Sequence, residues 1–242
     1  LRNRINFNIM YKFIIVEGPD NSGKDFVISL IKNLLSENKA WCSPIAEFHC
    51  TKPSYPDSIT DKFKFTKNRY AEIIGSALEL YYNKYISNYY NNVEYVIFNR
   101  SWIGEYVYGN IYRGFTPCEA KMMQYNIKDD LFDLMLNINE KYTSNSLFDP
   151  NNVEEYVKDN FLYIQLDAKR DWIMLNDDNK SLSNNNSELI KKEQERFNEV
   201  FGIIDYMTKV KLMTTSIKDG KLQWKDKLEL ENELKQILNV NS

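Results

Sequence analysis

Histidine and cysteine are scarce in this chain. His49 is the only histidine among 242 residues, and the three cysteines (Cys42, Cys50 and Cys118) are far apart with no CxxC pair. These counts exclude a His-rich metal site and argue against a Ser-His-Asp or Cys-His catalytic centre and a structural zinc site. We expect His49 and the cysteines to be buried, without a chemical role, and the chain to belong to a reducing compartment.

Long apolar runs and an excess of positive charge are also missing. No run of about 18 apolar residues occurs, so a transmembrane helix is not expected. The 31 Lys and Arg against 34 Asp and Glu leave a net charge of −3, which gives no support to nucleic-acid or membrane-surface binding. A hydrophobic content of 43% is typical of a globular chain. We expect one domain over residues 10–242, starting at Met10, and an N-terminal extension over residues 1–9.

Short apolar runs alternate with amphipathic segments along the chain. The runs predict strands at 12–17, 45–50, 95–98, 161–167 and 210–215. Helical spacing predicts helices at 24–37, 65–90, 117–139, 188–206 and 226–239. Residues 101–113 are expected to be irregular or a short helix, and residues 53–64 and 181–187 to be loops. The alternation predicts an α/β fold with a mostly parallel sheet.

Residues 17–25, EGPDNSGKD, carry the strongest chemical signal. Gly18, Gly23 and Lys24 match the first seven positions of the phosphate-binding pattern GxxxxGK[ST], between a strand and a helix. The glycines let backbone amides turn towards an anion, the helix N-terminus adds positive charge, and the lysine adds a mobile cation. A tight turn alone would leave the lysine unexplained. The predicted phosphate site comprises Gly18, Asn21, Ser22, Gly23, Lys24 and Asp25.

The same nine residues resemble the E-G-x-D-x-[SA]-G-K-[ST] segment of thymidylate kinases. Residues 95–114, YVIFNRSWIGEYVYGNIYRG, are similar to the strand, Asp-Arg pair and Y-G-x-x-Y-R-G segment of bacteriophage thymidylate kinase-like proteins. FHCTKP (48–53), YIQLDA (163–168) and the lid-like NDDNKSLS (176–183) fit in order and spacing. The resemblance covers most of residues 12–239. It implies a P-loop nucleoside-monophosphate-kinase fold, with a five-stranded parallel sheet, flanking helices and a lid-like loop.

The resemblance also implies an activity in nucleotide biosynthesis. An ATP- and Mg²⁺-dependent kinase would phosphorylate a deoxynucleoside monophosphate, with dTMP to dTDP as the first expectation. Asp20 matches the residue that contacts the sugar 3′-hydroxyl, and Arg100 the one that contacts the acceptor phosphate. Arg69 matches an arginine that clamps this phosphate or the base, and Arg113 matches the arginine of the Y-R-G segment. Tyr108 is expected to line the base pocket or to pack in the core.

Three positions differ from the family pattern. Asp25 stands where a Ser or Thr would ligate Mg²⁺, and Asn99 stands where an Asp would hold the ion through water. We expect Asp25 to bind the metal directly and Asn99 to bind it through water. Neither Asn21 nor the stretch 173–187 supplies the catalytic arginine of family kinases. The expected catalytic residues are Lys24 and Arg100, and one of Lys180, Lys191, Lys192 and Arg196 would replace the missing arginine.

Two alternatives stay open. A deoxynucleoside kinase would need a carboxylate base, for which Glu47 is the candidate. A catalytically silent nucleotide-binding protein would keep the P-loop with a degenerate magnesium site. The expected ligands are ATP and a deoxynucleoside monophosphate, and nucleic acid and membranes are not expected partners. We expect a cytoplasmic protein, in the host cytoplasm if the source is viral, and the Tyr-rich helix at 65–90 could support a homodimer.

Overall fold

Five short strands form a parallel sheet at the centre of the molecule. The computed structural model describes residues 11–36, 45–82, 93–141, 147–175, 181–183 and 186–239. The strand order is β2-β3-β1-β4-β5, so the chain builds one side of β1 first and then crosses to the other. The strands are β1 (Phe13–Glu17), β2 (Ile45–His49), β3 (Tyr95–Asn99), β4 (Phe161–Asp167) and β5 (Thr208–Met213).

Helices cover both faces of this sheet. Because both faces are buried, β1 reads as a continuous apolar run rather than an alternating one. Phe13 and Ile15 pack in the core beneath α2, α3, α4 and α7, while Ile14 and Val16 pack with α1 and α8 on the opposite face. The helices are α1 (Lys24–Ser36), α2 (Lys62–Tyr82), α3 (Ile103–Tyr112), α4 (Pro117–Lys141), α5 (Val153–Asn160, after a 3₁₀ turn at Pro150–Asn152), α6 (Arg170–Leu175), α7 (Ser187–Ile203) and α8 (Lys227–Ile237).

The predicted fold class is confirmed, and five elements differ from expectation: α2, α5, α6 and the two strands of a β-hairpin. Residues 101–113 contain the short helix α3, which is one of the two expected outcomes, whereas α2 begins at Lys62, inside the predicted loop. Helices α5 and α6 were not predicted, and neither was the antiparallel hairpin of β6 (Thr215–Lys218) and β7 (Lys221–Trp224). Its turn is Asp219-Gly220, with φ of 53° and 74°. This dipeptide is a strong hairpin signal, because both positions need positive φ.

Several expectations concern residues beyond those described. The extension 1–9 with Met10, residues 83–90 of the predicted long helix, and most of the lid-like stretch lie outside the described residues. Six apolar residues of α2 are buried against the core of the same chain: Tyr70, Ile74, Ala77, Leu78, Tyr81 and Tyr82. The homodimer stays a prediction, because Tyr85, Tyr89 and Tyr90 of the same segment lie outside the described residues. Across the described chain, the helices are too short or too polar to cross a membrane.

Candidate active site

The P-loop, residues 18–25, leaves the carboxyl end of β1 and enters α1. It lies where the strand order reverses, which is the position at which open α/β sheets bind ligands. A Cβ atom at Gly18 would lie 2.6 Å from the carbonyl oxygen of Leu166, so the close approach of β4 requires glycine. Asn21 and Gly23 have φ of 60° and 88°. The left-handed conformations turn the loop tightly, as a phosphate cradle needs.

A cavity of about 350 Å³ opens beside this loop. It brings together side chains from the ends of β2 and β3, the start of α1, the lid-like segment and the hairpin. Seven of the predicted site residues line it. The lining residues are Asp20, Asn21, Gly23, Lys24, Asp25, Phe26, His49, Asn99, Arg100, Ser181 and Trp224.

Lys24 begins α1 and its ammonium group folds back over the loop. The Nζ atom donates to the carbonyl oxygens of Gly18 (2.8 Å) and Pro19 (2.7 Å) and lies 3.9 Å from the Asp20 carboxylate. Burial and, to a smaller extent, the nearby Arg100 lower the pKa of Lys24 to about 8, although Asp20 opposes both. A polyanion beside Nζ would favour the charged form, so the lysine is suited to phosphate.

Arg100 and Asp20 form an ion pair at the cavity. Arg100 Nη2 donates to Asp20 Oδ1 at 2.9 Å, and the other oxygen of Asp20 accepts from the backbone amide of Leu182 at 3.4 Å. Arg100 has a φ of 65°, which is uncommon for a residue with a side chain. Arg100 adopts this conformation directly after the last residue of β3, and its backbone amide donates to the carbonyl oxygen of Val16. A guanidinium and a carboxylate thus face the same cavity as the P-loop.

Asn99 connects two carboxylates. Its Nδ2 atom donates to Asp25 Oδ1 (3.0 Å) and to Glu47 Oε1 (3.1 Å), while its buried Oδ1 accepts no hydrogen bond from the described residues. Glu47 also pairs with Lys32. Among the described residues, no group of three or more His, Cys, Asp or Glu could hold a metal. Asp25 alone is one hard oxygen donor, which fits Mg²⁺ if phosphates and water complete the shell.

Five predicted site residues do not line the cavity. Tyr108 is buried and donates to the carbonyl oxygen of Gly18 at 3.3 Å, and Arg69 donates to the carbonyl oxygen of Thr51 at 2.8 Å. Gly18 and Ser22 lie inside the loop, and the buried Ser22 Oγ has no hydrogen-bond partner in the described residues. Arg113 pairs with Glu105.

Arg113 belongs to a buried group that we call the Glu105 cluster: Glu105, Arg113 and Tyr70. Arg113 Nη1 donates to Glu105 Oε2 at 2.5 Å, and the Tyr70 hydroxyl donates to Glu105 Oε1 at 2.9 Å. Burial raises the pKa of Glu105, and Arg113 and Tyr70 oppose this. The guanidinium of Arg69 lies 5.9 Å from the Tyr70 ring. Two of the predicted acceptor-binding arginines therefore meet at this cluster, apart from Arg100.

Glu193 is a buried carboxyl that interacts with the charges of Lys24, Asp20 and Arg100 and that the sequence alone did not indicate. It lies on α7 with 1% of its surface exposed, and its Oε1 accepts from the Tyr112 hydroxyl at 2.5 Å. Burial is the main reason that the pKa of Glu193 is raised to about 7. The hydrogen bond from Tyr112 opposes the rise, Asp20 adds to it, and Lys24 and Arg100 oppose it. The helical spacing of the sequence could have placed Glu193 on a buried face, which it shares with the apolar residues of α7: Ile190, Phe197 and Val200.

The cations proposed for the missing arginine lie elsewhere on α7 or are not described. Lys191 lies 3.9 Å from Glu195, Arg196 donates to Glu199 at 2.6 Å, and Lys192 is exposed. Lys180 lies outside the described residues. Helix α7 therefore directs a carboxyl group, Glu193, towards the charges of the P-loop.

His49 differs from expectation. The side chain is exposed at the end of β2 and lines the cavity, because alternate residues of this edge strand face outward. Cys50, next in the chain, is buried as expected, and burial raises its pKa to about 12. Cys118 is exposed rather than buried, at the start of α4, and Cys42 lies outside the described residues.

No family model matches this chain, and neither does any curated protein. Similar solved structures include thymidylate kinase from Ehrlichia chaffeensis, which is 12% identical with a TM-score of 0.49 over 94% of this chain and 98% of that one. Thymidylate kinase from Candida albicans is 15% identical, with a TM-score of 0.46 over 96% and 92%. Deoxyadenosine kinase from M. mycoides is 12% identical, with a TM-score of 0.39 over 95% and 100%.

Proposed function

We propose that this protein transfers the γ-phosphoryl group of ATP to a deoxynucleoside monophosphate, with dTMP as the first candidate. The observation that carries the proposal is one cavity lined both by the P-loop lysine and by the Asp20–Arg100 pair. Phosphoryl transfer depends mainly on positioning two anions and neutralising their charge. The cavity combines a phosphate cradle with a second cation suited to another phosphate.

The donor phosphates would occupy the P-loop. Backbone amides and the N-terminus of α1 supply partial positive charge, and Lys24 supplies a full one. The ammonium group would exchange its bonds to the carbonyl oxygens of Gly18 and Pro19 for stronger, charge-assisted bonds to phosphate oxygens. Lys24 and Arg100 are the proposed catalytic residues.

The acceptor would occupy the side of the cavity formed by Arg100 and Asp20. The Arg100 guanidinium can bind a phosphate with two parallel bonds, and the Asp20 carboxylate can accept from a sugar 3′-hydroxyl. Both groups would give up part of their mutual ion pair for the ligand. Arg69, Arg113 and Tyr108 remain predicted acceptor contacts. A monophosphate is already an anion, so its attack needs no carboxylate base.

Asp25 would hold Mg²⁺ directly, and the ion would neutralise charge on the transferred phosphoryl group. Asn99 supports this role by donating to Asp25 Oδ1, which fixes the orientation of the carboxylate. A water bridge from Asn99 to the ion is part of the same proposal. The usual carboxylate after β3 is thus replaced by one at the start of α1.

A deoxynucleoside kinase is the second candidate, because Glu47 lies at the same corner. Its carboxylate shares the Asn99 amide with Asp25, close to the end of β2. There it could accept the proton of a sugar 5′-hydroxyl. Its pairing with Lys32 opposes that role, since the cation stabilises the ionised carboxylate and lowers its basicity.

A phosphoryl-transfer assay tests these functions directly. The full chain is incubated with ATP, Mg²⁺ and each of the four deoxynucleosides or their monophosphates, and the products are separated by charge. We expect dTMP to be the best acceptor. Arg100→Lys keeps the charge but loses the planar fork, so the KM for the acceptor should rise. Phosphorylation of nucleosides alone would assign the second candidate, and ATP binding without transfer to any acceptor would indicate the silent protein.

A further inference from the structure

Two exposed aromatic rings share the P-loop cavity. Phe26 and Trp224 line it with 44% and 38% of their surfaces exposed, whereas most of the other lining side chains are polar or charged. Large apolar rings open to solvent inside a polar cavity suit a flat apolar ligand surface. The P-loop chemistry of phosphate binding uses neither ring.

The Trp224 ring is held in place. It ends β7 and packs against the Trp172 ring, with centroids 5.3 Å apart and planes at 73°. It also covers Gly23, where a Cβ atom would lie 3.0 Å from the indole. Backbone bonds from Thr214 to Asp167 and from Lys225 to Thr214, both 2.8 Å, tie the hairpin to the sheet. A rigid platform loses little entropy on binding.

Both rings lie beside the phosphate cradle. Phe26 follows Lys24 and Asp25 in the first turn of α1, and Trp224 contacts the P-loop itself at Gly23. A nucleoside joined to phosphates in the loop would extend from the cradle, with its base near one or both rings. The cavity would therefore bind the charged and the apolar parts of one nucleotide.

We infer that Trp224, together with Phe26, is the stacking surface for the base of the nucleoside triphosphate donor. The inference rests on the proposed function, because it assigns the donor to the P-loop. Stacking uses the face of a base, and every base has one, so it discriminates weakly between bases. Hydrogen bonds to the base edge would be needed for strong selection. GTP should therefore replace ATP as the donor with little loss of affinity.

Calorimetric titration of the full chain with MgATP, MgGTP and magnesium tripolyphosphate tests this assignment. Trp224→Leu removes the ring but keeps apolar bulk, Trp224→Phe keeps a smaller ring, and Ile217→Ala is a matched control at an exposed position of the same hairpin. We expect ATP and GTP to bind wild type within about threefold of each other. Trp224→Leu should weaken both by about fivefold or more and leave tripolyphosphate unchanged. The affinities of Trp224→Phe for ATP and GTP should lie between those of wild type and Trp224→Leu.

Four results would overturn the inference. Equal losses for ATP and tripolyphosphate in Trp224→Leu would mean that the indole only supports the loop. Unchanged ATP affinity in Trp224→Leu would exclude stacking. A preference of wild type for ATP over GTP of tenfold or more would mean that contacts to the edge of the base, rather than stacking on its face, determine the affinity. Wild type that binds tripolyphosphate as tightly as ATP would also reject the base site while keeping the phosphate site. Wild type that binds neither would reject the proposed function itself.

Discussion

Arg100 and Arg113 each pair with a carboxylate, but in different surroundings. The Arg100 side chain keeps 35% of its surface exposed beside Asp20 at the cavity, whereas that of Arg113 keeps 11% beside the buried Glu105. The first pair faces the cavity, where a phosphate can replace the carboxylate as the partner of Arg100 while Lys24 remains beside Asp20. The second can open only by leaving a charge buried. The two arginines, both predicted to bind the acceptor, thus differ in the cost of exchanging a carboxylate partner for a ligand.

Arg113→Met should have the largest effect, on stability. Loss of the guanidinium leaves the Glu105 carboxyl buried with only Tyr70 as a donor, which costs about 3–5 kcal/mol of unfolding free energy. Arg100→Met should cost less, because the buried Asp20 keeps Lys24 at 3.9 Å and the Leu182 amide at 3.4 Å beside it. Urea unfolding of both variants measures the difference. Similar losses in the two would contradict the comparison.

A second substitution shows whether the buried charge is the cause. Glu105→Gln in the Arg113→Met background replaces the uncompensated carboxyl by a neutral amide of similar size. Unfolding free energy should recover by at least about 1 kcal/mol, since an unpaired charge costs more to bury than an amide. No recovery would indicate lost packing of the arginine stem instead.

Glu193 is a buried carboxyl without an arginine partner, and we expect stability to report its titration. Its pKa is raised from 4.5 to about 7, so the folded state binds the proton more tightly than the unfolded state. The resulting stabilisation is full below about pH 4.5 and is lost as pH rises to about 7. The change approaches about 3 kcal/mol for this shift. Glu193→Gln should remove this part of the pH dependence, and the exposed Glu155→Gln should not. If the unfolding free energies of wild type and Glu193→Gln changed equally with pH, this prediction would be wrong.

Lys24→Ala tests, through ligand binding, the cavity that Lys24 shares with Arg100. Removal of the ammonium group should weaken ATP binding or turnover by at least about tenfold, because charge-assisted bonds to phosphate are lost. Lys32→Ala, on the same helix but paired with Glu47, is the matched control and should have little effect. Unchanged ATP affinity and turnover in Lys24→Ala would exclude a phosphate role for the loop.

Asn99→Asp should weaken magnesium-dependent ATP binding several-fold, although it introduces the carboxylate that the family pattern has there. The new carboxylate would face Asp25 and Glu47 at the distances of the present amide bonds, and like charges repel. Asp25→Ser together with Asn99→Asp should restore the binding. ATP titrations with and without Mg²⁺ measure both. If Asp25→Ser alone improves ATP binding and wild-type affinity ignores Mg²⁺, Asp25 is repulsive rather than a ligand.

The centre of the sheet could be predicted from the sequence, because β1, β3 and β4 are buried on both faces and are mostly apolar. The P-loop was also evident, since its glycines and lysine have a fixed spacing. The contacts of the Glu105 cluster and of Glu193 were not evident, because Tyr70 lies 35 positions from Glu105 and the partner of Glu193 is more distant still. The spacing on α7 could place Glu193 on a buried face but could not identify that partner. Glu193 bonds to Tyr112, 81 positions away. The hairpin was missed although Asp219-Gly220 marks its turn, since β6 and β7 are only four residues each.

The contact of Trp224 with Gly23 has a consequence for the order of assembly. The phosphate loop is made near the start of the described chain, but part of its wall comes from about 200 positions later. Such long-range contacts form late, because the entropy of closing the intervening chain must be met first. During synthesis, the β1–β3 half of the sheet can therefore fold before the cavity has its aromatic wall. Nucleotide affinity would be among the last properties that the growing chain acquires.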